Sequence, residues 1–458
     1  MQLVAYGAQD VYLTGNPKVT FFQAVYKRHT NFAMELIQQT TNGSPSSSGR
    51  VSVTIARNGD LVGNMHVALT PISNVLTSTN GASVFDSNWI AERAIAAVEL
   101  TIGGQRIDKH YQTWWRLYAE VFLNESDKYA WGKMTTQSNP IAQGSQGSVS
   151  GALSPSKVYL PLLFFFNRNP GLYLPLIALQ YHEVRLDFDL TAYYGSYFGT
   201  TNAFEVWANY IYLDTEERRR FAQKGHEYLI EQVQHTGGDQ LAAGSTEGNV
   251  QLVRLSFNHP VKELVWCYTN PAASATAQLN AMWNFCTSTA NVNVTSNVVL
   301  LQATNNAIMP NTTGVPQLVN TFGSNLTAAN TGSFWLEAGT QYLGGVTNPG
   351  VEVGPLHLFK VILNGQDRFK EQYGNYFNQV QPFYHHTGTP YPGIYTYSFA
   401  LQPEEHQPTG TCNFSRIDNA QVSVQLKSFN SATLQKLFAV NYNILRIQSG
   451  MGGLAFSN

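Results

Sequence analysis

Four segments of the first half of the chain recur in the same order in the second half, and this repeat limits the fold to two copies of one unit. The matched pairs are 51–69 with 250–268, 99–106 with 360–368, 181–186 with 416–422, and 208–213 with 440–445. The third match is the loosest. The spacing between segments differs while their order does not, so loop insertions distinguish the two copies. Each half is long enough to bury its own core.

Apolar and polar residues alternate along many short segments, as half-buried β-strands require. Clear examples are 51–55, 184–190 and 422–426, whereas helical periodicity is scarce. A repeated unit of roughly 200 residues with many short strands predicts two antiparallel sandwiches rather than parallel α/β units. We therefore expect an all-β tandem double jelly roll, each half an eight-stranded sandwich, because that fold suits this length best. Alternation alone does not separate a jelly roll from another Greek-key sandwich.

The mixed-charge run 214–221 marks the junction between the halves. A stretch rich in Asn, Thr, Ser and Gly, at about 270–355, predicts a long surface loop in the second half. The expected organisation is a short N-terminal arm (1–27), jelly-roll domain 1 (28–214), a linker (215–225) and jelly-roll domain 2 (226–458).

Composition argues against several classes of function. Charged residues make up 12% of the chain and the net charge is −2, so no basic surface for direct nucleic-acid binding is expected. The three cysteines form an odd set without zinc-type spacing, which indicates free thiols. No signal-peptide pattern opens the chain. The most apolar region, 160–180, is interrupted by polar residues and predicts two buried strands around a turn rather than a membrane span.

Several pairs of residues suggest chemistry but fit structural roles better. Asp187 and Asp189 could bind a metal, yet they alternate with apolar residues and predict the solvated polar face of a strand. His385-His386 and His182-Glu183 lack the spacing of a zinc helix, and the glycines at 450–453 lack the Lys and Ser/Thr of a phosphate loop. No nucleophile, base and acid can be assembled, so we expect neither an enzyme nor a cofactor.

Segments along the whole chain resemble the major capsid proteins of nucleocytoplasmic large DNA viruses, most closely those of the algal (chlorella-type) viruses. The opening LVAYGAQDVYLTGNP at 3–17 is the longest match. Others are IGGQRIDKHY at 102–111, LPLIALQYHE at 174–183, GTCNFSRIDN at 410–419, NYNILR at 441–446 and SGMGGLA at 449–455.

The resemblance implies a structural shell protein that forms homotrimers, which act as pseudo-hexameric capsomers and tile an icosahedral shell. Two similar domains in each of three subunits would present six similar sides. It also implies that loop 270–355 faces outward, while the N-terminal arm faces minor capsid proteins and an inner membrane that the chain does not span. The location would be the virion, with assembly in the host cytoplasm.

Two sets of candidate site residues follow. Gln105 and Arg106, and their repeats Gln366 and Arg368, come once per domain after a strand and a turn. They could be catalytic arginines, but they fit a structural corner or an inter-subunit contact better. Among the sequons, Asn293, Asn311 and Asn325 lie in the expected outer loop and are the best candidates for glycosylation. The alternative function from another class is a carbohydrate-binding double β-sandwich that recognises host glycans.

Overall fold

A computed structural model provides the coordinates of the chain. It describes residues 7–14, 16, 27–72, 89–135, 157–201, 203–241, 249–269, 308–310, 316–318, 355–390, 393–426 and 433–456. The loop predicted at about 270–355 therefore lies almost entirely outside the described residues, as does most of the arm.

Two antiparallel sheets form a first sandwich from the strands before residue 214. Strands β1, β10, β4 and β7 make one sheet in that order, with β8 beside β4, and β2, β3, β9, β5 and β6 make the other. The strands are β1 (Phe32–Gln39), β2 (Thr41–Asn42), β3 (Arg50–Thr54), β4 (Leu61–Leu69), β5 (Ile95–Ile102), β6 (Gln105–Tyr111), β7 (Val158–Pro161), β8 (Leu174–Pro175), β9 (Val184–Leu190) and β10 (Phe204–Leu213).

A second sandwich follows. Its sheets have the orders β11, β23, β14, β20 and β13, β22, β17, β18, with β12 and β24 beside β23, β21 beside β14 and β19 beside β17. The strands are β11 (His226–His235), β12 (Asp239–Leu241), β13 (Val250–Arg254), β14 (Pro260–Thr269), β15 (Ile308–Pro310), β16 (Pro316–Leu318), β17 (Leu356–Leu363), β18 (Gln366–Asp367), β19 (Gln372–Tyr373), β20 (Ile394–Ser398), β21 (Cys412–Asn413), β22 (Ala420–Leu426), β23 (Thr433–Gln448) and β24 (Met451–Leu454). Among the described strands, β15 and β16 pair with each other and with no other strand.

The two sandwiches have the same connectivity. The eight principal strands are, in chain order, β1, β3, β4, β5, β6, β7, β9 and β10 in the first sandwich, and β11, β13, β14, β17, β18, β20, β22 and β23 in the second. In each sandwich the first, eighth, third and sixth of these form one sheet, and the second, seventh, fourth and fifth form the other. This is the strand order of a jelly roll, in which two Greek keys interlock. The tandem double jelly roll expected from the repeat is confirmed.

Helices are short and lie in the connections. They are α1 (Asp10–Thr14), α2 (Gln112–Val121), α3 (Glu125–Thr135), α4 (Phe165–Arg168), α5 (Tyr194–Tyr197), α6 (Thr215–Gln223) and α7 (Gln381–His385), with a π-turn at Tyr376–Val380 and 3-10 turns at Ile90–Arg93, Pro170–Leu172, Leu176–Ala178 and Phe414–Arg416. Within the described ranges, no helix has the length and apolarity needed to cross a bilayer.

Helix α6 connects the two sandwiches. Asp214 caps it by accepting a hydrogen bond from the Thr215 amide, as N-cap residues do. One turn later, Arg218 Nε donates to the carboxylate of Asp60 at 2.9 Å, which ties the helix to the turn before β4. The mixed-charge run is thus helical and is anchored to the first sandwich.

The buried residues form two clusters, and the larger one crosses between the sandwiches. It unites the interior of the first sandwich with residues of the second that face away from their own interior, among them Val265, Cys267, Phe438 and Val440. A separate cluster fills the second sandwich, with Trp266 stacked on Phe359 at 4.4 Å. The second half therefore has a core of its own, whereas the core of the first half continues into the contact between the sandwiches.

Two details predicted from the sequence are wrong. Residues 160–180 are not two strands around a turn, because β7 leads into helix α4, two 3-10 turns and the very short β8. The fourth repeat match is displaced by one residue. Met65 pairs with Ala208, and its counterpart Leu264 pairs with Ala439, so Ala208 corresponds to Ala439 rather than to Val440. A shift of one residue along a strand exchanges the two faces.

Candidate functional site at the contact between the sandwiches

Helix α2 and the end of β6 cover one sheet of the second sandwich. We call the covered surface the outer face of that sheet, meaning the side of β11, β23, β14 and β20 turned away from its own core. The ring of Phe438 at its centre is fully buried, with centroids 5.5 Å from Trp114, 6.4 Å from Tyr111 and 4.2 Å from His235. Aromatic pairs at these separations add packing energy beyond the area that they bury.

Helix α2 presents aromatic residues on two sides. Trp115 points into the first sandwich, where its Nε1 donates to the Pro161 carbonyl. Trp114, Tyr118 and Phe122 follow at intervals of four residues, so they line one side of the helix. Trp114 meets the second sandwich at Phe438, Phe122 meets it at His386, and Tyr118 stacks on Phe122 between them.

Polar groups join the same surfaces. The Val233 amide donates to Asp108 Oδ1 at 3.1 Å, and Gln232 donates to the Ile107 carbonyl. Lys436 Nζ donates to Thr113 Oγ1 at 3.0 Å, and burial holds the pKa of this lysine below its usual value. Strand β6 and helix α2 are therefore held to the second sandwich by backbone and side-chain hydrogen bonds as well as by aromatic packing.

A buried ion-pair cluster bridges the two sandwiches. Glu231 on β11 accepts from Arg168 of α4 at 3.0 Å and from Lys262 of β14 at 2.5 Å. Burial alone would raise the pKa of Glu231, but the two cations outweigh it and lower the pKa. Burial also lowers the pKa of Lys262, although Glu231 opposes this effect. Loss of one partner would leave a buried charge without compensation.

A second charged cluster lies beside Phe122. The fully buried imidazole of His386 contacts Glu263 through Nε2 at 2.5 Å and Glu404 through Nδ1 at 3.2 Å. Burial would lower the pKa of His386, but the two carboxylates outweigh it and raise the pKa to about 9. Thr387 donates to Glu404 through its amide and hydroxyl groups. His386 therefore acts as a buried cation between carboxylates.

One of the two aspartates on β9, Asp187, differs from the sequence prediction, whereas Asp189 fits it. Asp187 is buried rather than solvated, because Ser52 Oγ donates to it at 2.5 Å and Arg185 Nε donates at 2.9 Å, while Arg50 lies 3.4 Å away. Burial would raise its pKa, but these partners lower it. Asp189 is half exposed beside Arg50. Among the described residues, no group of three or more potential ligands is placed to hold a metal ion.

The repeated Gln and Arg residues follow equivalent hairpin turns. Both central residues of each turn have positive φ, Gly103 with Gly104 and Asn364 with Gly365, as a tight hairpin requires. Gln105 accepts a hydrogen bond from the Leu454 amide of β24 at 3.1 Å, and Gln366 pairs with Leu363 in the ladder. The Arg side chains, Arg106 and Arg368, are both exposed.

A cleft opens at the first of these hairpins. It has a volume of about 490 Å³ and lies between β6, β11 and the turn before β14, with Arg106 and Lys109 in its wall. The glycines at 450–453 lie beside it, where Gly452 and Gly453 pair with β23 and His182 Nδ1 contacts the Gly452 backbone. These glycines therefore form a structural tail.

The two halves of the chain match two family models. Residues 20–214 match a model described as "Major capsid protein N-terminus", and residues 217–453 match "Large eukaryotic DNA virus major capsid protein". The second match covers more than half of the chain. The chain belongs to the large eukaryotic DNA virus major capsid proteins.

Individual proteins that are similar to this capsid protein support the same family assignment. The major capsid protein of Paramecium bursaria Chlorella virus 1 is 42% identical, and that of Phaeocystis pouchetii virus is 39% identical; each match spans 100% of this chain and 99% of the relative. A quasi-atomic model of the PBCV-1 virus capsid superposes with a TM-score of 0.72 at 38% identity, covering 96% of this chain and 100% of that one.

The family assignment decides between the two functions expected from the sequence. The capsid protein is a structural component of the virion that forms the icosahedral capsid of a large DNA virus. The alternative, a carbohydrate-binding double sandwich, is not supported. The candidate glycosylation sites Asn293, Asn311 and Asn325 lie outside the described residues.

The sequence analysis did not predict the residues that join the two sandwiches. The four-residue spacing of Trp114, Tyr118 and Phe122 could have indicated a helix with an aromatic side, although a short helix is a weak signal. Lys262 and Glu263 interrupt an otherwise apolar strand, and buried charges of this kind are rare unless paired. No local pattern predicts their partners Glu231 and His386, which are distant in the sequence.

Proposed function

We propose that three copies of this chain associate into a capsomer with a pseudo-hexameric outline, and that such capsomers tile the shell. The observation that carries the proposal is the pair of sandwiches with one strand order, packed together within a single chain. Three such chains offer six similar sides, which lets one protein occupy a near-hexagonal lattice. The partners are then other copies of the chain and neighbouring capsomers.

Further parts of the proposal concern the organisation of the subunit. Residues 28–214 and 226–458 are its two jelly-roll domains, 215–225 is the linker, and 1–27 is an arm. The arm contacts minor capsid proteins on the inner side of the shell, near an inner membrane, and loop 270–355 faces outward and carries any glycans, at Asn293, Asn311 or Asn325. Capsid assembly takes place in the host cytoplasm.

The residues described here have structural roles in the proposal. Gln105 ties the first hairpin to the C-terminal strand, and we assign its repeat Gln366, with Arg106 and Arg368, to the same corners or to contacts between subunits. The buried ionic clusters pair acids with bases inside a protein contact, which is a structural role. We propose that the chain acts as a shell component without catalysis, cofactor or direct nucleic-acid binding.

Native mass spectrometry of the purified chain tests the proposal directly. A complex of three times the chain mass at micromolar concentration is the expected result. A chain that stays monomeric over the whole concentration range would contradict it. Electron microscopy of the same sample should show particles with a six-sided outline when they are viewed along the threefold axis of the trimer.

A further inference from the structure

Each of the two surfaces that meet between the sandwiches has a counterpart on the other sandwich of the same chain, where it is not covered. The residue pairing between neighbouring strands shows which residues of the two sandwiches occupy equivalent positions. In the first sandwich Gln105 pairs with Ile102 and Tyr111 with Ala97; in the second, Gln366 pairs with Leu363 and Tyr373 with Leu358. Tyr373 is therefore the counterpart of Tyr111, which packs on the outer face of the second sandwich.

The helical segment after each of these tyrosines has the same pattern. Residues Trp114, Tyr118 and Phe122 follow Tyr111 at steps of three, four and four, and Tyr376, Val380 and Tyr384 follow Tyr373 at the same steps. The buried Trp115 likewise matches the buried Phe377. In the first sandwich this side of the helix is covered. In the second, Tyr376 is half-buried against its own core, whereas Tyr373 is 61% exposed, Tyr384 is 72% exposed and the adjacent Phe383 is 79% exposed. We call this side of the second sandwich the aromatic ridge.

The receiving surface also has a counterpart. His66 pairs with Trp207, and Trp207 with Gln38, just as Val265 pairs with Phe438, and Phe438 with His235. Trp207 on the first sandwich therefore occupies the position of Phe438, the residue that the first sandwich covers. We call the surface around Trp207 the open face.

Along its edge strand β1, the open face is apolar where the covered face is charged. Phe32, Met34 and Leu36 on the edge strand β1 are each at least half exposed, and Tyr159 packs edge-on against His66 at the opposite edge of the sheet. By the same registers, Met34 replaces Glu231, so the buried ion pair of the internal contact has no equivalent here. An apolar edge suits chains that fold separately and then associate, because fewer charges have to lose their hydration; Glu205 on this face is already paired with Lys157 at 2.6 Å.

One hydrogen bond across the internal contact has a counterpart pair of residues on the open face and the ridge, with donor and acceptor exchanged. Lys436 donates to Thr113 in the internal contact. Their counterparts by register are Glu205 and Asn375, an acceptor carboxylate and an amide that can donate to it. Glu205 accepts from Lys157 and Trp207 within its own chain, and a carboxylate can accept a further donor, so the open face and the ridge are complementary in polarity at this position.

We propose that the aromatic ridge of one copy packs on the open face of the next, repeating between chains the contact that each chain makes internally. The inference deepens the proposed trimer, on which it rests, by assigning its interface. Ridge and face are different surfaces, so the contact is head-to-tail, and three repeats close a ring of six sandwiches. Tyr373 then lies over Trp207 and Gln38, as Tyr111 lies over Phe438 and His235.

A pair of leucine substitutions tests the open face. Leu36→Glu places a charge in it, and the matched control Leu252→Glu changes a leucine that is 62% exposed on β13, the edge strand of a different sheet. Leu36→Glu should raise the concentration at which trimers dissociate at least tenfold, while Leu252→Glu should leave it unchanged. Circular dichroism and the melting point of the diluted monomers must match for the two variants.

Crosslinking tests the pairing of the two surfaces. Tyr111 and His235 have ring centroids 5.0 Å apart, so their counterparts Tyr373 and Gln38 should be neighbours across the interface. A chain carrying Tyr373→Cys and Gln38→Cys, treated with a short bismaleimide, should yield covalent trimers on a denaturing gel. Each single variant and the parent chain, which keeps its native cysteines, should not.

The outcomes separate this inference from the proposal beneath it. A parent chain that never forms trimers overturns the proposed function itself. Stable trimers that tolerate Leu36→Glu and give no crosslinked trimer overturn only the assigned interface. Loss of trimers on deletion of residues 1–27, with the crosslink absent, would assign the open face to the arm and likewise overturn the inference.

Discussion

The buried histidine between two carboxylates makes stability depend on pH in a defined direction. The pKa of His386 is about 9 in the folded chain, against an ordinary value of 6.5. At about 1.4 kcal/mol per pKa unit, this difference corresponds to about 3 kcal/mol in favour of the folded, protonated state. Because the folded pKa is the higher one, the contribution is complete below pH 6.5 and is lost as the pH rises through 9.

The acidic side of the profile comes from Glu404. Its pKa lies below the usual 4.5 because the bonds from His386 and Thr387 outweigh the effect of burial. A lowered pKa gives stability that is present above pH 4.5 and lost as the pH falls. The cluster should therefore stabilise the protein most between about pH 4.5 and 6.5.

His386→Gln removes the cation while keeping a polar side chain of similar reach. We expect the free energy of unfolding of the variant to fall about 3 kcal/mol below that of the parent at pH 6, and the gap to close as the pH approaches 9.5. Thermal unfolding at one fixed protein concentration measures the gap, since association shifts the melting point. The control His385→Gln changes the neighbouring ring, whose Nδ1 contacts the Leu401 carbonyl at 3.0 Å rather than a carboxylate. The stability gap of this control should not change between pH 6 and 9.5.

Carbon-13 labelling of the histidine rings gives the titration itself. The ring signal missing from the His386→Gln spectrum should titrate with a midpoint near 9 in the parent protein. A midpoint near 6.5, or a stability gap that is constant from pH 6 to 9.5, would refute the argument that the two carboxylates outweigh burial.

Three other perturbations have definite expected results. Glu231→Gln leaves its two basic partners without a counter-charge and should cost about 3–5 kcal/mol, measured as a lower thermal midpoint. Gly104→Ala should cost about 1 kcal/mol because φ is positive there, whereas Gly103→Ala should cost more, because its Cβ would also collide with the His182 ring; equal melting points would contradict this. Deletion of residues 1–27 should leave trimers intact by native mass spectrometry but abolish their attachment to the shell, and a deletion that unfolds the trimer would contradict the placement of the arm.

Much of the fold could be predicted from local patterns. The alternation in 51–55, 184–190 and 422–426 places these segments in β3, β9 and β22, and the order of the repeat predicts two sandwiches of one kind. Such signals are readable because each depends on neighbouring residues and on the two-residue period of a strand.

Local patterns could not predict which strands lie side by side in a sheet, or in which register. Asp187 has the spacing of a solvated strand residue, yet Arg50, Ser52 and Arg185 enclose it, because β3 happens to lie beside β9 in this register. The one-residue displacement of the fourth repeat match has the same origin. The correct alignment follows from the pairing of β10 with β4 and of β23 with β14, which have a bulge at the same place, and the sequence does not show this pairing.

The sequence by itself determined the strands, the duplication and the resemblance to capsid proteins, because periodicity and repeats are properties of the chain. Tertiary structure alone decided that Phe438 is fully buried while Trp207 is only half-buried, although the two occupy the same place in their sheets. Burial depends on which surface lies opposite a residue. Those surfaces belong to segments far apart in the chain, so they are set only when the two sandwiches pack.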